Sequence, residues 1–297
     1  MKKLVLLDAH ALLHRAYHAL PPLSSPQGQL VNAVYGFLKM LFKLREDLEP
    51  DYLAVAFDTP KPTFRHQKFV GYQAKRPKMD EELAGQIDLA KKALTIMGIK
   101  RLEKEGFEAD DLLGTLAEKF KKNNEVFIVT GDRDLMQLVD KQVFLYFPQR
   151  GLSAPLLVKE KEVERILGIK PAQVVDYKAL AGDSSDNYPG VAGVGPKTAQ
   201  KLLQEYGSLE KIYQNLPKIE PLSLREKLEK GREAAFLSQE LATVKRDIPL
   251  EINLDDLYLS VWDKQETEDF FKNLGFRSFL KLKFKKEKKK ADQAKLF

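Results

Sequence analysis

Three short apolar runs, LVLL (4–7), YLAVAF (52–57) and VFIV (126–129), lack the alternation of a half-exposed strand and are separated by stretches of helical spacing. Uninterrupted apolar runs of this length mark strands buried on both faces, so the pattern predicts an α/β fold with a mainly parallel central sheet flanked by helices. In GFEADDLLGTLAEKF, Leu112, Leu113, Leu116, Ala117 and Phe120 recur at helical spacing, which predicts a helix opening on Glu108, Asp110 and Asp111. After residue 200 the chain turns helical and charged, punctuated by Gly207, Pro217 and Pro221. Three parts are expected: an α/β core over 1–180, a helical subdomain over 181–280, and a basic, low-complexity, flexible tail over 281–297.

Each apolar run ends near an aspartate. Asp8 and Asp58 follow directly, and Asp132 and Asp134 follow Thr130 and Gly131. Ligands of open parallel sheets gather beyond the carboxyl ends of the strands, so these four acids are expected to converge there. Glu108, Asp110 and Asp111 join them from the helix start, and Asp183 and Asp186 stand at i, i+3 in GDSSDN. Acids at a helix start are stabilised by the helix dipole and need no further role. Their coincidence with three strand ends changes the weight, because mutually repelling carboxylates need a cation or a proton to share one place. All-oxygen donors select hard cations such as magnesium or manganese. Two such ions about 3.5–4 Å apart can activate a water and stabilise the leaving oxygen of a phosphodiester.

Composition narrows the chemistry. A chain of 297 residues, 43% hydrophobic, can bury a sizeable core. With no cysteine there is no disulfide, thiolate metal site or cysteine nucleophile. The opening apolar run stops at Asp8, too short for a signal peptide, and no later run could span a bilayer, so a cytoplasmic protein without membrane attachment is expected. The net charge of +6 lies in the tail, where eight lysines face Glu287 and Asp292 from Lys281 onward. Any nucleic-acid contact must therefore rest on local patches. One such patch runs from Thr59 to Met79, where Lys61, Arg65, Lys68, Lys75, Arg76 and Lys78 occur with no acid and with Phe64, Phe69 and Tyr72 interleaved. Basic and aromatic residues together suit a single strand, the charges tracking phosphates and the rings stacking bases; a solvated loop has the same composition.

His10, His14 and His18 recur at i, i+4, i+8, but with no cysteine and only His66 elsewhere a four-ligand zinc site is not expected. A face bordering bound phosphate, beside Arg15 and Tyr17, is expected instead. The stretch NYPGVAGVGPKTAQKLL nearly spells a phosphate-binding loop, yet Pro196 stands where that loop needs lysine and no buried strand leads into it. Gly190, Gly193 and Gly195 rather predict a tight hairpin, with Pro196 opening a helix. Backbone amides at that start, with Lys197 and Thr198, can grip a phosphodiester without reading a base.

Taken in order, LLDAHALLHRAYHAL, VAFD, GYQAKRP, EADD, TGDRD, and GDSSDN followed by PGVAGVGPKTA resemble the 5′-nuclease family, which includes the flap endonucleases and the 5′→3′ exonuclease domains of bacterial polymerases. The resemblance runs from about residue 3 to residue 280. It implies a PIN-like core, a helical arch over about 60–98 that passes a single-stranded 5′ end, and a helix-three-turn-helix module for duplex DNA. It implies that Asp8, Asp58, Glu108 and Asp110 serve one metal ion, that Asp132, Asp134 and Asp186 serve a second, and that Asp111 and Asp183 match acids lying further out. A potassium ion held by carbonyls of the glycine hairpin is also implied. Arg76 matches an arginine that assists the scissile phosphate, and His14, Arg15, Arg65 and Tyr72 fall among strand-positioning residues.

Two positions depart from the family. Gln73 stands where a lysine normally helps Arg76; Lys75 is the expected substitute, although on a helix residues 73 and 75 point to different sides. His14 stands where a tyrosine commonly stacks on the terminal base. The last five residues, QAKLF, resemble the Gln-x-x-Leu-Phe peptide that docks on bacterial sliding clamps, with Gln293, Leu296 and Phe297 as anchors on a flexible linker. The expectation is a monomeric, magnesium-dependent nuclease that cuts DNA at junctions between a single-stranded 5′ end and duplex, in primer removal and repair. Its rivals are a catalytically weak junction-binding module, suggested by Gln73, and a PIN-type ribonuclease, which would lack the arch and the glycine hairpin.

Overall fold

The computed structural model describes residues 1–148, 155–259, 262 and 265–280. Its centre is a sheet of β1 (Lys2–Asp8), β2 (Tyr52–Ala56), β3 (Lys100–Leu102), β4 (Asn124–Val129), β5 (Val143–Phe147) and β6 (Leu156–Val158), ordered β3-β2-β1-β4-β5-β6. The first five are parallel, and β6 pairs antiparallel to β5. The three apolar runs are β1, β2 and β4, side by side in the middle, as their freedom from polar residues requires.

Alternate side chains of these strands feed two cores. Leu4, Leu6, Ala54, Ala56 and Ile128 face one side, and Val5, Leu7, Leu53, Val55 and Val129 the other. Each large buried aliphatic contributes about 1.5–3 kcal/mol relative to exposure, so burial holds the sheet centre firmly.

Within the sheet region the chain runs through α1 (Ala9–Ala19), α2 (Asn32–Leu48), the short α3 (Phe64–Lys68), α4 (Glu81–Ile96) and α5 (Ala109–Phe120). Then come α6 (Glu160–Leu167), α7 (Val174–Ala181), α8 (Pro196–Tyr206), α9 (Leu209–Gln214), α10 (Leu222–Lys230), α11 (Arg232–Ala242) and α12 (Gln265–Asn273). Helices α1, α2 and α4 supply the core on one face, and α5 packs on the other, contributing Leu112, Leu113 and Leu116. The later helices extend this second core through Ala179, Leu180, Ala199, Leu203, Ile212 and Ala235. The end of the described chain returns to the first core, where Phe270, Phe271, Phe276 and Phe279 pack beside α2.

The segment expected to form a helical arch is only partly helical. Between α3 and α4, residues 70–75 form turns, and Gln73 takes a left-handed backbone conformation with φ +53°. The helical argument placing residues 73 and 75 on different sides therefore does not apply. Helix α4 is committed to the core through Leu83, Ile87, Ala90 and Leu94, and between the helices Tyr72 is buried with Tyr188, Leu241 and Ala242, which leaves 74–80 as the exposed portion. Among the described residues no helix is long and apolar enough to cross a membrane. The tail at 281–297, with Gln293, Leu296 and Phe297, lies outside the described residues.

Candidate active site

Parallel strands bring their carboxyl ends to one edge, and the acids collect there. Asp8 ends β1 and caps α1, its Oδ1 accepting from the Ala11 amide at 3.0 Å while Oδ2 accepts from the Thr130 hydroxyl at 2.9 Å. Thr130 follows β4 directly and is fully buried, so one hydroxyl ties two strand ends together. Asp58 accepts from the Ala109 amide at 2.7 Å, joining the end of β2 to the start of α5. Its own amide donates to His10 Nδ1 at 3.1 Å. Asp132 Oδ1 accepts from the Asp134 amide at 2.8 Å, folding the loop after β4 back on itself.

Asp110, in the first turn of α5, differs from all of these. Among the described residues its side chain makes no hydrogen bond and no ion pair. Burial holds it well above the ordinary carboxylate range, and the negative charges of Asp132, Asp8, Asp58 and Glu108 push the same way. Burial, then repulsion from Asp58 and Asp132, raises Asp8 to about 7, despite the bonds from Ala11 and Thr130. Burial raises Glu108 to about 7 against the pull of Arg65. The carboxyls thus sense one another, and each would ionise more easily with a cation between them.

Other candidates already hold cations of the protein. Lys178, on α7, places its ammonium 2.5 Å from Asp134 Oδ1 and also pairs with Asp183. Burial and Asp132 still raise Asp134 to about 7. Asp183 further accepts from the amide and hydroxyl of Ser185 at 2.6 and 2.7 Å. Asp186 receives Gln73 Nε2 at 3.2 Å and Arg76 Nη2 at 3.1 Å, so the turns after α3 lie over this acid. Lys75 is exposed beside them.

Several expectations are corrected. The nine acids do not close into one ready-made cage, since no group of three or more among the described residues is arranged to hold a metal ion. Asp111 is fully buried and consumed by structure, receiving Arg65 through both guanidinium nitrogens and the amides of Glu108 and Lys245. Arg65 is only 3% exposed and also donates to the carbonyls of Leu241 and Thr243, so it joins α3, α5 and the end of α11. Tyr72 is equally buried, its hydroxyl donating to Glu108 Oε2 at 3.2 Å, so in this conformation its ring is not offered to a base. Gly190 is buried too, and its amide donates to Ser238 Oγ at 3.0 Å instead of facing outward.

The rest of the hairpin is open. Gly193, Gly195 and Lys197 are exposed, with Pro196 opening α8 behind Gly195. The Thr198 amide donates to the Gly195 carbonyl, and the Gly193 carbonyl lies 3.5 Å from Lys227 Nζ. His14 is exposed and Arg15 half-buried on α1. Sequence reasoning missed Thr130, Lys178 and the contact of His10 with Asp58. Only Lys178 left a signal, five residues before Asp183 on a short helix leading into GDSSDN.

Comparison with known proteins gives a consistent result. The family model "5'-3' exonuclease, N-terminal resolvase-like domain" matches residues 3–168, and "5'-3' exonuclease, C-terminal SAM fold" matches residues 169–265. DNA polymerase I of Caldicellulosiruptor bescii is 43% identical over 282 residues, covering 94% of this chain and 33% of the relative. That of Bacillus subtilis is 41% identical over 280 residues, covering 94% of this chain and 32% of the relative. The chain therefore spans about a third of the length of these curated relatives. The structure of T5 D15 protein co-crystallised with metal ions superposes with a TM-score of 0.70 at 18% identity, covering 91% of this chain and 99% of that one, a likeness of fold.

Proposed function

The chain belongs to the 5′-3′ exonuclease family, and from that premise we propose that it hydrolyses DNA phosphodiesters where a single-stranded 5′ end meets duplex, using divalent cations held at the strand-end carboxylates. The observation that carries the proposal is Asp110, which among the described residues has no hydrogen-bond or ion-pair partner and which burial, then the charges of Asp132, Asp8, Asp58 and Glu108, hold well above the ordinary carboxylate range. The donor set suits magnesium or manganese, being all oxygen. Asp8, Asp58, Glu108 and Asp110 would hold one ion and Asp132, Asp134 and Asp186 another, with Asp183 supporting the loop. When bound, such ions lower the pKa of water and neutralise charge on a phosphodiester.

The chain's own residues do the rest. Thr130 and the Ala11 amide fix the Asp8 carboxyl, and the Ala109 amide fixes Asp58, so the donors are oriented before an ion arrives. Arg76, paired with Asp186 and with the exposed Lys75 beside it, would pass to a phosphate oxygen as a strand enters. Gln73 keeps a hydrogen bond to Asp186 but brings no charge to the phosphate. Gly193, Gly195 and Lys197 offer an exposed turn and an ammonium to the duplex backbone, a contact that holds without reading sequence. A potassium ion in this hairpin belongs to the same proposal and would share Gly193 with Lys227. Docking of QAKLF on a sliding clamp is proposed from the sequence alone.

A junction-binding module without turnover is the second reading, favoured by the way Gln73 and Arg76 lie over Asp186. End-labelled 5′-flap duplex, blunt duplex, single-stranded DNA and single-stranded RNA, each incubated with magnesium, test the choice. The proposal expects short products from the flap and little from RNA. Tight flap binding without products would favour the module, and cleavage of plain RNA would favour a ribonuclease.

A further inference from the structure

The spacing of His10, His14 and His18 gave no reason to expect a four-ligand zinc site, yet the fold turns two of these rings toward each other. His14 and His18 are both exposed on α1, and their Nε2 atoms lie 3.3 Å apart, with ring centroids at 4.4 Å and planes tilted by 60°. We propose that His14 and His18 form a two-imidazole chelate for a borderline transition-metal cation of the zinc or nickel class, separate from the carboxylates.

The geometry is that of a chelate. Side chains at i and i+4 are neighbours on a helix face, and neutral Nε2 is the commonest protein donor to such metals. Zinc–nitrogen bonds of about 2.0–2.1 Å opening at a tetrahedral angle place two donor nitrogens about 3.3–3.4 Å apart. The observed Nε2 separation of 3.3 Å matches this spacing. Burial, then the charges of His18 and Arg76, lowers the basicity of His14, which favours the neutral ring that a metal ligand needs. From the start of α4, Asp80 acts on His14 in the opposite sense, adding negative charge beside the pair. Solvent supplies the remaining positions of the coordination sphere, since both rings are exposed.

Donor chemistry keeps this pair distinct from the acids. Imidazole favours zinc, nickel and copper, whereas carboxylates favour magnesium and manganese. The two clusters would thus sort cations by type. The consequence for activity rests on the proposed nuclease reading: an ion on His14 occupies the face beside Arg76, where a DNA strand would enter, so nickel or zinc would inhibit in a way that added magnesium does not relieve.

Calorimetric titration of the untagged protein with nickel chloride, in magnesium sufficient to occupy the carboxylates, tests the site without any DNA. Wild-type protein is expected to bind one nickel ion per chain, and His14→Gln or His18→Gln to weaken it by at least the roughly tenfold that loss of an outer-shell partner costs. Both positions are exposed, so melting temperatures of the variants in magnesium should match wild type and rule out misfolding. Absence of stoichiometric binding, as a simple ring-to-ring hydrogen bond would give, overturns the proposal, and so does undiminished binding by the double variant. Because the titration contains no DNA, its failure leaves the nuclease reading standing, and a failed cleavage assay leaves this site standing.

Discussion

Arg65 grips Asp111 through two parallel hydrogen bonds, Nη1 to Oδ2 at 2.7 Å and Nη2 to Oδ1 at 2.8 Å, with both side chains sealed from solvent. The same guanidinium lies 3.2 Å from Glu108 Oε2 and donates to two carbonyls at the end of α11. One buried cation therefore fixes the start of α5, where Glu108 and Asp110 stand, against the helical part of the chain.

Breaking one side of a buried pair leaves an uncompensated charge, which typically costs about 3–5 kcal/mol. Arg65→Met should lower stability by about that much in urea denaturation, whereas Arg65→Met with Asp111→Leu should recover most of it. A single variant as stable as wild type, with weakened DNA binding instead, would restore Arg65 to the substrate face.

The glycine hairpin makes a sharper contrast. A Cβ at Gly190 would meet the Gly182 amide nitrogen at 2.2 Å, and φ there is +59°, whereas a Cβ at Gly195 meets nothing within 4 Å. Gly190→Ala should cost about 1–3 kcal/mol from the backbone conformation alone, with the clash added, and should weaken duplex binding. Gly195→Ala, at the N-cap of α8, should cost no more than about 1 kcal/mol. Thermal melts and DNA titrations of the two variants decide, and equal behaviour would contradict the hairpin geometry.

The acids also predict a pH dependence. Asp8, Glu108 and Asp134 are raised to about 7 in the fold, so the folded state binds more protons than the unfolded chain, and stability falls as pH rises toward and through 7. The lowered basicity of His10, His14 and His66 acts in the opposite sense, but only as pH falls below the usual histidine range. In chelator, the melting temperature should therefore drop as pH rises from the ordinary carboxylate range to about 7, most cleanly just below 7 where the histidines no longer titrate, and magnesium should abolish the drop. A flat or rising metal-free profile would show that the carboxyls do not share one field.

Lys178 stands in as a cation for Asp134 and Asp183. Lys178→Met should lower the metal-free melting temperature and enlarge the increment that magnesium produces, because an ion then neutralises carboxylates that have lost their pairing cation. Differential scanning calorimetry with and without magnesium reads both, and an unchanged increment would separate Lys178 from the metal question.

The sheet was legible because buried parallel strands leave uninterrupted apolar runs, which no polar requirement disguises. β3 escaped because Lys100 and Arg101 occupy two of its three positions, and β6 because it is a three-residue edge. β5, VFLYF, has the same apolar character as the strands that were found, and its position directly after the β4 loop hid it. Acids at strand ends and at the start of α5 could be placed because local spacing fixes them. The role of a cation in the segment after α3 could not. Composition treats Arg65 and Lys75 alike, whereas the fold buries one against Asp111 and exposes the other, a choice made by residues some 46 and 176 positions away. Tyr72 and Gly190 misled for the same reason.

The most direct test of the central claim joins magnesium binding to cleavage in Asp110→Asn, which removes the ionisable group without changing shape. The account predicts that this variant folds and binds a 5′-flap duplex as wild type does, releases no product in magnesium, and binds the ion more weakly by calorimetry. Normal cleavage by Asp110→Asn, or cleavage by wild-type protein in excess chelator, would contradict it.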